Sequence, residues 1–395
     1  MLFRSDDFVE THKAVGIAEI IPVAQFNALP NNKSVIDMWR DLYGGIYASN
    51  LAIEVLNAAP ETVTESLRLR LLGEAHFLRG FYLFLLGSNY GPTVPFLTRT
   101  PQTEDDLHPR NSEPGVLYNQ IIADFTRASE LLPARSVMFQ NEADRGRVAK
   151  GAAQGMLAKA YMYRPILDWG QPAQFDLAAP LLREVIYSGE YELMANFRTN
   201  HLGCEFFPQF ENNRESLFEV QFKNDEGSFN PEPFIYPETG DEPRDNSTWR
   251  MQEVGMYDGI GGSWWNLMPT RRALDQFEDG DPRKFMSIWF AGGARYTQGG
   301  TGGVGGITRT FERWVPGTAL DTVVFGVRKN CFDFSTADLE SGINDRLLRF
   351  SDILLLYAEC LIELNREAEA VPYINMVRQR ANNVVPSEQI GRAHV

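Results

Sequence analysis

Residues 346–382, RLLRFSDILLLYAECLIELNREAEAVPYINMVRQRAN, constrain the fold of this chain more than any other stretch, because apolar side chains recur there at helical spacing. Leu347, Phe350, Ile353/Leu354, Tyr357, Leu361 and Leu364 step by three and four residues and lay one apolar stripe on a first helix. After the Asn365-Arg366 turn, Ala370, Val371, Ile374, Val377 and Ala381 repeat the pattern on a second. Pro372 is expected in the first turn of that helix, where its missing N–H has no partner to lose. The span is close to the ~34 residues of a tetratricopeptide-type hairpin. A single hairpin of this kind cannot bury its apolar face, so others must stack on it.

Further helices are legible upstream. Residues 36–57 carry Trp39, Leu42/Tyr43, Ile46, Ile53 and Leu56 at helical steps, and residues 65–88 carry Leu67, Leu71, Ala75, Leu78, Tyr82 and Leu85. These two are expected to pack as an antiparallel hairpin. Pro92, Pro95 and Pro101 then impose an extended loop. A third helix is predicted over 114–132 with Pro114 in its first turn, a fourth over 147–164 stopped by Pro165, and a fifth over 176–188 closed by Gly189. The fourth and fifth echo the closing hairpin, with Ala179-Pro180 standing where Val371-Pro372 stands there.

From about residue 196 to 340 the chain changes character and becomes rich in Gly, Pro, Asn and aromatics, with short strand-like runs at 216–222 and 322–327. The expected fold is therefore mostly α: a tetratricopeptide-like superhelix of helical hairpins with a long loop-rich insertion containing short strands. Its divisions fall at 1–195 for the N-terminal helical part, 196–344 for the lobe and 345–389 for the closing hairpin. Irregular excursions on rigid scaffolds are where recognition usually sits.

Arg349-Phe350-Ser351-Asp352-Ile353-Leu354-Leu355-Leu356-Tyr357-Ala358-Glu359, followed by Asn375-Met376-Val377-Arg378-Gln379-Arg380-Ala381, resembles the R-Y-A-D-V-L-L-x-Y-A-E and I-N-x-V-R-x-R-A signatures of the SusD/RagB family. Leu72-Gly73-Glu74-Ala75-His76-Phe77-Leu78-Arg79-Gly80-Phe81-Tyr82 and Asn89-Tyr90-Gly91-Pro92-Thr93-Val94-Pro95 are similar to its G-E-A-x-F-L-R-A-F-x-Y helix and Y-G-x-V-P loop. Weaker matches at 146–161 and 188–193 keep the family's order, so the resemblance runs from about residue 36 to 382. It implies a lipid-anchored protein on the outer face of a Bacteroidetes-type outer membrane. Such a protein binds an oligosaccharide or other nutrient and acts as the lid of a SusC-like, TonB-dependent β-barrel transporter. It implies capture without turnover, and no cofactor. Family members usually start with a signal peptide and a lipid-accepting cysteine and are longer at both ends, so this sequence is expected to be a fragment. The codons of Ile390-Gly391-Arg392-Ala393-His394-Val395 resemble a sequencing adapter, and 390–395 are expected not to be natural protein.

Charge and motif content narrow the function. A formal net charge of −15 over 395 residues opposes binding to nucleic acid or anionic lipid. The longest apolar runs fall far short of the ~20 residues of a membrane helix. Cys204, Cys331 and Cys360 offer neither a disulfide framework nor zinc spacing, and Cys360 reads as a small buried hydrophobe. There is no nucleophile elbow, HExxH or P-loop; the Gly-rich run 292–306 lacks the GK[ST] ending, and the histidines stand apart. Aromatics with carboxylates also describe a glycosidase groove, so a hydrolase is a lesser alternative, as is peptide uptake on the same scaffold.

Five of the seven tryptophans, Trp249, Trp264, Trp265, Trp289 and Trp314, fall between 249 and 314 with Tyr257 and Tyr296. Flat aromatic faces suit sugar rings, whose axial C–H groups stack on π surfaces; packing the lobe's own core is the competing use of any one of them. The candidate ligand-binding residues are Trp264, Trp265, Trp289, Tyr296 and Trp314, joined by Asn89 and Tyr90 on the loop behind the second helix, where capping is the competing role. Asp275, Glu278, Asp279 and Asp281 with Gly280 supply only part of a calcium-loop spacing, and a solvated turn is the preferred reading.

Overall fold

Helices that begin on well-placed caps build the scaffold. The computed structural model describes residues 8–10, 20–58, 63–202, 207–222, 267–289, 295–298, 307–310, 326–327 and 342–382. The long helices among them are α1 (Lys33–Asn57), α2 (Glu65–Tyr90), α3 (Val116–Leu131), α4 (Lys150–Met162), α5 (Phe175–Tyr187), α6 (Phe350–Glu363) and α7 (Glu367–Asn382). Asn32 and Thr64 start α1 and α2 by accepting from the Val35 and Leu67 amides, each at 3.4 Å. Each helix packs on the one before and the one after it, and α6 lies on α5 although residues 188–349 intervene. That order of neighbours is the superhelix expected from the hairpin pattern.

Close approach is written into the sequence as glycine. Gly73, Gly80 and Gly87 recur every seven residues along α2, so all three lie on one face. A Cβ there would stand 2.9 Å from Leu132, 3.2 Å from Asp124 and Phe125, and 2.8 Å from Leu117 respectively. Only hydrogen at these positions lets α3 lie so near, and Phe77, Leu117, Ile121 and Phe125 fill the seam without exposure. Central α4 is buried on nearly every side, which its sequence KGAAQGMLAKAYM permits by being small rather than striped.

Three expectations about helix ends are corrected. Pro165 does not simply stop α4; it sits in the first turn of a short separate helix, Arg164–Leu167. Pro114 lies outside α3, whose cap is Gly115 at φ 80°. Pro372 falls at the sixth residue of α7, beyond the first turn, and Pro180 holds the same place in α5. Both prolines are solvent-exposed. The carbonyl that each leaves without an amide partner faces water, so the missing bond costs less than in a core.

Leu347 does not join the apolar stripe of α6. Residues Asp345–Arg349 form strand β2, antiparallel to β1 (Ser216–Val220), with Ser216 opposite Arg349 and Val220 opposite Asp345 across two irregular steps. The helix begins at Phe350 because the Asp352 carboxylate accepts from the Arg349 amide at 3.0 Å. The two ends of the lobe thus leave the scaffold side by side. Other short antiparallel pairs join 8–10 to 267–269, 288–289 to 326–327, and 295–298 to 307–310.

Candidate functional site

Two regions carry the expected binding residues, and a buried polar network fixes the chain beside each. The first region is the loop at 91–99 behind α2. Arg79 donates through Nε and Nη2 to the two Asp124 carboxylate oxygens at 2.9 and 2.7 Å, and through Nη1 to Asn50 Oδ1 and the Thr98 carbonyl at 3.0 Å. Asn50 donates onward to the Leu97 and Arg99 carbonyls at 2.9 and 3.0 Å. His76 Nδ1 lies 2.8 Å from Asp124. Burial would raise the Asp124 pKa, but hydrogen bonds from His76 and Arg79 and the Arg79 charge outweigh it and hold the carboxyl below its ordinary range.

Asn89 and Tyr90 are not on a loop: α2 continues through both. Asn89 Nδ2 donates back to the Leu85 carbonyl at 2.7 Å, and the Tyr90 hydroxyl donates to the Val35 carbonyl at 2.6 Å. The Tyr90 ring meets Trp39 edge-on at 5.0 Å, and Trp39 meets Tyr43 at 4.8 Å. Burial, helped by the Asp41 charge, pushes the Tyr90 hydroxyl up to about 12. These groups latch the end of α2 to the start of α1 and so set where the 91–99 loop departs.

The second region is the base of the lobe. Glu215, with no solvent exposure, accepts from Arg380 Nη1, from Asn200 Nδ2 and the Met194 amide at 2.8 Å each, and from Arg349 Nη1 at 3.4 Å. Glu219 faces Arg346 Nε at 3.1 Å and accepts from Asn344 Nδ2 at 2.9 Å. Arg346 reaches on to the Phe210 and Leu202 carbonyls at 2.7 and 3.0 Å. Residues 197–220 are therefore welded to β2 and α7. Arg349, Asp352 and Arg380, which carry the closing signature, act as structural fasteners.

Of the lobe aromatics, Trp264, Trp265 and Trp314 lie outside the described residues, as do Trp249 and Tyr257. Trp289 stands in a strand opposite Gly326, and Tyr296 in a strand opposite Arg309. The Gly-rich run thus links strands 295–298 and 307–310, with no helix start of the kind a phosphate loop requires. The acidic turn is divided among arginines: Asp275 with Arg271 at 2.9 Å, Glu278 with Arg378 at 2.8 Å and Asp281 with Arg283 at 2.6 Å. Asp281 also caps residues 282–287. Among the described residues no group of three or more His, Cys, Asp or Glu side chains could hold a metal. Cys360 is buried, with Sγ 3.6 Å from Met162 Sδ, and burial pushes its thiol up to about 12.

Sequence reasoning missed two exposed aromatics. Phe26 is exposed at φ 58°, a backbone region that bulky residues rarely enter; no local pattern announces it. Trp169 is 68% exposed in the turn Asp168-Trp169-Gly170-Gln171-Pro172. A tryptophan inside a polar Gly/Pro turn is the signal that could have found it.

A family model described as "Starch-binding associating with outer membrane" matches residues 9–162, and one described as "SusD family" matches residues 215–385. Together they span most of the chain. A SusD-like protein from Bacteroides ovatus is 23% identical over 371 residues, covering 90% of this chain and 61% of the relative. SusD-like protein P25 from Formosa agariphila is 22% identical over 403 residues, covering 95% and 68%. The chain thus spans 61% to 68% of the length of these relatives. A crystal structure of a SusD-like protein from Bacteroides fragilis superposes with a TM-score of 0.74 at 22% identity, covering 98% of this chain and 75% of that one. Surface glycan-binding protein A from Bacteroides thetaiotaomicron, in complex with laminarihexaose, gives 0.71 at 19% identity, covering 98% and 77%. These superpositions show a shared, mostly helical fold.

Proposed function

The chain belongs to the SusD/RagB family, and from that premise we propose that it captures a glycan at the surface of a bacterial outer membrane and delivers it to a TonB-dependent β-barrel transporter. The observation that carries this reading is the match of two family models, one at each end of the chain, on either side of the lobe. SusD-like proteins bind rather than catalyse. The laminarihexaose complex of a structural neighbour makes a neutral glycan the first ligand to test.

The lobe at 196–344 takes the sugar, with Trp264, Trp265, Trp289, Tyr296 and Trp314 as stacking surfaces, while 1–195 and 345–389 form the scaffold. Asn89 and Tyr90 serve by setting the departure of the 91–99 loop. The scaffold offers a face for the transporter. Gly44, Tyr47, Ala48, Leu51 and Val55 make an exposed, uncharged ridge along α1, and apolar surface rimmed by polar residues marks protein contacts. A lipid anchor would hold the binder beside its transporter and raise the effective ligand concentration without a new contact.

Native electrophoresis through gels cast with laminarin, starch, cellulose ethers, xylan and an acidic polysaccharide tests the reading. Retardation by at least one, without release of reducing sugar, is the expected result. Unchanged mobility in all of them overturns glycan capture, and steady release of reducing sugar makes the protein a hydrolase.

A further inference from the structure

We propose that Trp169 is a saccharide-stacking subsite carried by the helical scaffold, separate from the aromatic lobe, and that it takes a neutral hexopyranose unit of the bound oligosaccharide. The proposal rests on the glycan-binding reading and adds a second point of attachment to it. Trp169 is the most exposed large apolar side chain among the described residues, at 68%. Such exposure of the costliest side chain to leave in water asks for a ligand.

The ring is held, not dangling. Gly91, at φ 98°, has no Cβ; one built there would stand 3.4 Å from the Cη2 and Cζ2 edge of the indole. The ring edge therefore rests on the backbone just beyond Tyr90, and the faces of the indole are what solvent meets. The turn beneath is locked. Leu167 has no exposure and Asp168 only 7%. Arg164 Nε donates to the Asp168 carboxylate at 3.3 Å, the Asp168 amide donates to the Arg164 carbonyl at 2.8 Å, and the Gln171 amide donates to the Asp168 carbonyl at 3.1 Å. Arg164 also lies over the Tyr118 ring at 5.1 Å, and the Tyr118 hydroxyl is hydrogen-bonded to Gln174. A platform fixed before binding loses little entropy when ligand arrives.

The surroundings select the ligand class. Exposed amides at Asn119 and Gln171 flank the turn and can both give and accept hydrogen bonds to hydroxyls. Arg164 already serves Asp168, and the Asp168 carboxylate with a net charge of −15 disfavours a uronate or sulfated unit. A C–H-rich pyranose face on the indole satisfies both features.

Calorimetric titration of wild type, Trp169→Ala and Trp169→Phe with laminarihexaose, cellohexaose and maltohexaose tests the subsite. It is paired with N-bromosuccinimide oxidation of the wild type, read at Trp169 by mass spectrometry with and without sugar. The hexasaccharide that binds wild type should bind Trp169→Ala about tenfold more weakly, with Trp169→Phe between, as loss of one aromatic stacking contact would give. It should also slow oxidation of Trp169. Equal affinity in all three proteins with unprotected Trp169 removes the subsite and leaves glycan capture standing. Binding to none of the sugars here and no retardation in the polysaccharide gels overturns both. Should Trp169→Ala melt early, protection in the wild type decides alone.

Discussion

Asp124 and Glu215 are both buried carboxylates met by arginine, yet they join pieces of chain at very different separations. Asp124 reaches partners 45 and 48 residues away, Arg79 and His76, on a helix that neighbours its own in sequence. Glu215 reaches Arg349 and Arg380, 134 and 165 residues away. The first network tightens hairpins that local pattern already specifies. The second closes the scaffold over an insertion. Because Val220 and Asp345 are strand partners, the lobe leaves and returns at one place, and loop-closure entropy grows only slowly with the length between. Such a lobe can change in content while the stack stays the same, which is how one scaffold can serve different ligands.

The largest effect expected is from breaking the distant closure. Arg380→Ala leaves the fully buried Glu215 with one charged partner fewer, and losing one side of a buried pair costs about 3–5 kcal/mol. Denaturant unfolding measures the loss, and hydrogen exchange locates it. Amides of β1 and β2 should lose protection before those of α2 and α3. Uniform loss across the stack, or a change below about 1 kcal/mol, would mean that the lobe's base is not a separate point of closure.

Acid sharpens the comparison from the other side. The Asp124 carboxyl is held below its ordinary value of 3.8 in the folded protein. Its contribution is therefore full above that value and lost as pH falls through the lower, folded one. Asp124→Asn should be less stable than wild type at pH 7 and should lose less further stability than wild type below about pH 4. Urea midpoints collected from pH 7 to 2.5 give both slopes. Parallel slopes would show that Asp124 is not depressed by its partners.

Packing within the first hairpins offers a smaller, signed test. A Cβ at Gly87 would meet Leu117 at 2.8 Å and Leu167 at 3.0 Å, whereas one at Gly44 on α1 meets nothing within 4 Å. Gly87→Ala should destabilise by about 1–3 kcal/mol through overpacking. Gly44→Ala should stabilise by about 0.5–1 kcal/mol, because alanine loses less backbone freedom in a helix. Melting temperatures moving in the same direction for both would refute the close α2/α3 seam.

What was legible in the sequence follows the same division. The hairpins α1/α2 and α6/α7 could be read because a 3.6-residue period is local, and Leu42, Ile46, Phe350, Tyr357 and Val377 are buried as the stripe requires. Strand β2 could not be read. Leu347 and Leu348 continue the helical period, and only a partner at 216–220 pulls them into a strand. Gly73, Gly80 and Gly87 looked like weak helix formers until α3 lay against them. For the candidate site, composition showed that the lobe is aromatic. It could not show that Tyr90 is spent on Val35 or that Trp169 stands in solvent, because both depend on which surfaces meet.

The smallest effect comes from the residue that looks most like Arg380. Arg378 sits two positions away in the same signature, and two steps on a helix turn a side chain through about 200° to the opposite face. Arg378 accordingly leaves the core and meets Glu278 at 2.8 Å, with side chains 52% and 68% exposed. Water screens that pair and both side chains lose freedom in making it, so Arg378→Ala should change stability by less than about 0.5 kcal/mol. What remains of the effect should fade as salt is raised. The pair nevertheless joins α7 to the acidic turn of the lobe, 100 residues earlier. Faster exchange at 270–287 in Arg378→Ala, with the global midpoint unchanged, would identify it as a surface clasp between lobe and stack. A loss as large as that of Arg380→Ala would instead place the lobe inside the cooperative core.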